Sequence, residues 1–245
     1  MDTSSNPAFS KKALERLQVG ASDDVMSAKG SIAKTAYALG IVMVTGIIGW
    51  FSVPYIAAGA VPWGVLIGLM IAAPVVGIIT AFKTNPVMVT LYAVLEGLLI
   101  GVISRTFEAA YNGIVLQAVL LTVATTLGML FLYVNGTVRV TEKTRSVIMI
   151  ATVGVVIYAV FELIASLINP NMISILTTGP WGIVIAAVIV IIAALNLLLD
   201  FDFIDRGVKA RLSKKAEWYA AFGLTVTLIW LYVSILRLLA ASRNN

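Results

Sequence analysis

Between Lys34 and Lys83 the chain runs for 48 residues without a charged side chain, which narrows its possible folds more than any other feature. As one helix, rising 1.5 Å per residue, such a run would be more than twice as long as a hydrocarbon core of about 30 Å is thick, so it is read as two crossings of a bilayer. The segment "SVPYIAAGAVPWG", with two prolines and two glycines, supplies the break between them. The same logic carried along the chain predicts seven spans, over residues 35–53, 62–82, 86–104, 111–134, 146–168, 180–199 and 218–239. "NPNMISILTTGPWG" is read as the turn between the fifth and the sixth. Composition agrees: 60% of residues are hydrophobic and 12% charged, where a soluble domain carries about 25% charged residues. The expected fold class is an all-α integral membrane protein, a seven-transmembrane-helix bundle.

Whole classes of chemistry fall away on residue counts. Cysteine and histidine are both absent, so there is no disulfide, no thiolate or imidazole metal site, no haem ligand, and no Ser/His or Cys nucleophile. No enzyme chemistry and no cofactor are expected. The net charge of +5 is explained by basic loops facing the cytoplasm, and nucleic acid is not an expected partner. The lipid bilayer is.

The first 34 residues are polar and of mixed charge, without the apolar run of about 7–15 residues that a secretory signal requires. They are expected to remain as a partly disordered cytoplasmic segment, 1–34, in which "ALERL" has the pattern of a short surface helix. A membrane domain over 35–240 and a short tail, 241–245, follow. Lysine and arginine divide 14 to 3 between the two sides that seven spans define. The richer side holds the N-terminal segment, Lys83, the 4–5 loop and the 6–7 loop, which places the N-terminus in the cytoplasm and the C-terminus outside a plasma (inner) membrane.

Acids inside such spans are costly, about 2.5 kcal/mol or more at mid-bilayer, and therefore informative. Glu96, in "LYAVLEGLLIG", falls near the middle of span 3, and Glu162, in "IYAVFELIASL", near the outer end of span 5. Tyr92 and Tyr158 precede them by four residues, on the same helix face, where a phenol can hydrogen-bond a carboxyl. Each acid is read either as a polar packing residue or as part of an ion or proton path. Gly97 and Gly101 follow Glu96 at GxxxG spacing, which suits close helix packing.

"NLLLDFDFID" gathers Asp200, Asp202 and Asp205 where span 6 is expected to end. Helix C-termini are negative and leave carbonyls without partners, so acids there call for cations. One reading is a membrane-edge salt-bridge cluster with Arg206 and Lys209. The other is an oxygen-rich cation site, Asp200 and Asp202 being possible calcium ligands and Asn196 extending the polar face one turn deeper. Burial and neighbouring acids together let a carboxylate cluster titrate near neutrality without histidine.

"NPVMVTLYAVLEGLLIGVISRTFE", "GIVLQAVLLTVATTLGMLFLY" and above all "LLLDFDFID" with "EWYAAFGLTVTLIWLYVSILRLL" resemble the bacterial branch of the Bax inhibitor-1-like family, also called the transmembrane Bax inhibitor motif family. The likeness covers nearly everything after Thr84; the first two spans agree in layout more than in motif. It implies a bundle with helix 7 at its centre and a pH-sensitive calcium leak controlled by two aspartates, one ending helix 6 and one on helix 7. The first falls on Asp200. Aligning "ILRLL" puts Thr227 where the second would stand, and span 2 lacks the basic residue that can accompany the pair. Asp202, Asp205, Glu217 or Glu96 would then have to serve in its place.

Two functions remain: a leak for calcium or other cations, or a proton-sensing protein, with a route past Glu96 and Asp200, and a non-transporting regulator that binds a quality-control protease or a stress-response protein. A retinal receptor is disfavoured because no lysine lies within span 7. An aspartyl intramembrane protease is disfavoured because Asp200 and Thr227 are not two facing acids.

Overall fold

The structure, a computed structural model, describes residues 25–59, 63–168 and 179–243. The "ALERL" segment and most of the turn between spans 5 and 6 lie outside these. Among the described residues the secondary structure consists of seven long helices: α1 (Ala28–Ala57), α2 (Trp63–Phe82), α3 (Pro86–Ala110), α4 (Ile114–Val134), α5 (Glu142–Ile168), α6 (Gly179–Lys209) and α7 (Lys215–Arg243). All seven are long and apolar enough to cross a membrane.

Two helices run well past the expected boundaries. α1 starts at Ala28 rather than residue 35, because Ser27 caps it: the Ser27 hydroxyl accepts from Gly30 N at 2.9 Å. α6 continues ten residues past residue 199. There Asp202 pairs with Arg206 at 2.8 Å and Asp205 with Lys209 at 2.6 Å, and such i,i+4 pairs favour continuing a helix in water. Charge marks where the apolar span stops, not where the helix does.

The chain forms two compact units. The first joins Met1–Val102 to Asp202–Thr225. Within it α1 and α3 approach closely: Gly97 faces Val42 and Thr45, and Gly101 faces Gly46 and Trp50, where any Cβ on Gly101 would run into the Gly46 carbonyl. The GxxxG spacing therefore serves backbone contact. The chain ahead of α1 is tied to the α6–α7 turn, Met26 N donating to Leu212 O at 2.7 Å.

The second unit joins Ile103–Phe201 to Val226–Asn245. Ile114, Leu197, Leu198, Leu231 and Leu236 form its fully buried core. Leu116, Leu120, Leu127 and Phe131 of α4 are by contrast at least 60% exposed. A water-facing surface does not carry so much apolar area, whereas hydrocarbon tails solvate it well. α7 contributes to both units, and half of its most apolar 18-residue window is buried, the largest share among the seven helices.

Candidate functional site

Asp200 sits in the interior of α6, nine residues before its last residue, Lys209. Its backbone carbonyl belongs to the helix ladder, so a site built from carboxylates and free helix-end carbonyls is not what forms. Residues two apart on a helix do not share a face, so Asp200 and Asp202 do not point to a common ion. Asp202 is engaged by Arg206 and Asp205 by Lys209. Among the described residues no three acidic side chains gather as a metal site would need. Asp200 and Asp202, expected above as possible calcium ligands, therefore lie on different faces of one continuous helix, where calcium takes six to eight converging oxygens.

Asp200 instead faces α7. The Thr227 hydroxyl, itself buried, donates to the Asp200 carboxyl. The other carboxyl oxygen, Oδ2, is buried and has no hydrogen-bond partner among the described residues. One turn earlier on the same face, Asn196 Nδ2 donates to Thr152 Oγ1 of α5 and to Ile192 O, both at 2.8 Å. The result is a polar line through the second unit from Thr152 to Asn196, then Asp200 and Thr227. Thr152 was not anticipated; its only sequence signal is a hydroxyl within the apolar run "IATVGVV".

Toward the other end of the unit, Arg237 of α7 reaches Glu162 of α5, with Nη1 3.2 Å from Oε2. The pair lines a cavity of about 500 Å³ between α5, α6 and α7 together with Tyr158 and Trp230. Glu162 is therefore an ion-paired acid.

Glu96 belongs to the first unit, where it is half-buried. No hydrogen bond joins it to Tyr92 among the described residues. The Tyr92 ring packs edge-on against Phe222 of α7, centroids 5.1 Å apart. Glu217, at the start of α7, is more tightly held. It is 2% exposed, accepts from Ser27 N at 2.9 Å and from Ser27 Oγ at 3.0 Å, and forms an ion pair with Lys34. The Lys34 ammonium also lies 5.1 Å from the centre of the Trp218 ring. Glu217 thus closes a clasp between the starts of α1 and α7, visible in the sequence only as an acid in a first helical turn.

Seven apolar helices, with a line of hydrogen-bonded polar side chains inside one unit, define a polytopic membrane protein with a buried carboxyl. The family profile described as Bax inhibitor 1 like matches residues 6–244, and the chain belongs to that family. Comparison with curated proteins finds no match.

Proposed function

We propose that the protein is a pH-sensitive cation leak of the plasma (inner) membrane, for which calcium is the expected ion, and that Asp200 is its responsive group. The observation that carries this reading is the buried Asp200 Oδ2 without a described partner, beside a Thr227 hydroxyl that occupies the carboxyl's other side. An acceptor left open in a dry site is where a proton or a cation adds. The two compete for the same charge: a proton neutralises it, a cation pairs with it, and acid conditions therefore oppose cation binding. Asn196 of α6 and Thr152 of α5 extend polar atoms away from Asp200 and offer a permeating ion its next oxygens. No enzymatic step is invoked.

Thr227 in the position of the family's second aspartate favours a second reading. With one carboxyl in place of two, the protein is a non-transporting, proton-sensing regulator of a membrane protease or stress-response protein.

Calcium flux into liposomes across pH distinguishes these. Asp200→Asn keeps the shape and removes the charge; it is expected to abolish the pH dependence, while Asp205→Asn, on an exposed ion pair, leaves it in place. A leak that responds to pH equally in parent and Asp200→Asn discards Asp200 as the responsive group. A parent protein that passes no ions leaves the regulator.

A further inference from the structure

We propose that the cavity between α5, α6 and α7 is a binding site for one phospholipid bearing a primary amine, its phosphate on Arg237 and its ammonium on Glu162. The pair is loosely made. One contact of 3.2 Å joins the two side chains, and the Arg237 side chain is 56% exposed, so further guanidinium donors remain available for a phosphate, which Arg binds in bidentate fashion. Glu162 offers oxygens to an ammonium. A zwitterionic headgroup thus replaces one internal ion pair with two complementary ones.

The depth of the pair agrees with a headgroup. Glu162 lies six residues before the end of α5 at Ile168, and Arg237 six before the end of α7 at Arg243, about 9 Å along each helix. Trp181, 75% exposed at the start of α6 and next in the chain to Gly182 of the cavity lining, is of the aromatic type enriched at membrane interfaces. Below it the chemistry changes. The cavity shares Val155, Ile185 and Ile189 with an apolar groove of about 290 Å³ between α5 and α6, which reaches Ala151 and Ile192. Charge at the mouth with hydrocarbon beneath suits an amphiphile rather than a soluble ion. A lipid that only wets the surface would need neither charge.

Native mass spectrometry of the detergent-purified protein, with defined lipids added, tests this. Phosphatidylethanolamine is expected to be retained at one copy, and phosphatidylcholine of the same chains, whose quaternary amine donates no hydrogen bond, at least about tenfold more weakly. Glu162→Gln should erase that difference, and Arg237→Gln should weaken both lipids. Ala186→Phe narrows the cavity while keeping both charged residues and should weaken both as well, so the site stays testable even where a charge variant fails to fold. Glycerophosphoethanolamine, the headgroup without acyl chains, should displace nothing at equal concentration. Equal retention of both lipids by parent and by Ala186→Phe would mean annular lipid only, and displacement by the chainless headgroup would mean a headgroup site only. Either result overturns the proposal.

Discussion

A carboxylate's value in this protein depends on what surrounds it, and the acids of α6 and α7 span the range. The Asp205–Lys209 pair is open to solvent, with the Lys209 side chain 73% exposed, and exposed pairs contribute roughly 0–1 kcal/mol. Glu217 is buried and receives both Ser27 donors and the Lys34 ammonium. Removing it strands those donors, which costs about 3 kcal/mol. Glu217→Ala is therefore expected to lower the midpoint of thermal unfolding in detergent clearly, while Asp205→Asn leaves it within error. Equal midpoints would remove the clasp as a stabilising feature. Neither distinction is legible in sequence, where both are acids close to lysines. Asp200 was legible through the family resemblance; its contact with Thr227 was legible only as an alignment column, and Thr152 not at all.

At the scale of the helix, uncharged apolar runs and proline or glycine breaks located every span, and the ends were displaced wherever charge was taken as a stop. Thirty residues of α1 make a rod of about 45 Å, longer than the hydrocarbon core of about 30 Å. Helix hydrogen bonding continues past the bilayer when a cap or an i,i+4 pair supports it, and Ser27 and the Asp202–Arg206 pair do so here. The glycines give a sharper test of packing. Gly101→Ala would push a Cβ into the Gly46 carbonyl and to within 2.8 Å of Trp50 N, and backbone atoms cannot yield as a side chain can. A loss of roughly 1–3 kcal/mol is expected. Gly128→Ala on α4 meets nothing within 4 Å and is expected to stabilise by about 0.5–1 kcal/mol through lower backbone entropy. Unfolding of both in the same detergent checks the opposite signs; a shared sign would show that α1 and α3 do not depend on close approach.

For the molecule as a whole, the 14 to 3 division of lysine and arginine predicts that the α6–α7 turn faces the cytoplasm and the α3–α4 turn the outside. The chain has no cysteine of its own, so single cysteines report without background. Ala210→Cys and Asn112→Cys, both at exposed turn positions, should differ in intact cells. An impermeant thiol reagent is expected to label Asn112→Cys alone. Labelling of Ala210→Cys instead would invert the protein and place its basic turns outside.

Sequence alone determined the solvent and the architecture. Runs of uncharged residues long enough to span a bilayer leave the backbone no choice but helix, since hydrocarbon satisfies no peptide group. The absence of cysteine and histidine likewise leaves the chain without thiolate or imidazole groups. Tertiary structure decided which acids are engaged and which are open. Asp202, Asp205, Glu162 and Glu217 each meet a cation, in two cases from the same helix and in two from another, 75 and 183 residues away in the chain. Asp200 meets a hydroxyl and keeps one oxygen without a described partner. Pairing energies fall off within a few ångströms, so the partner of a buried charge is set by which helix faces it, and that is a property of packing rather than of spacing along the chain.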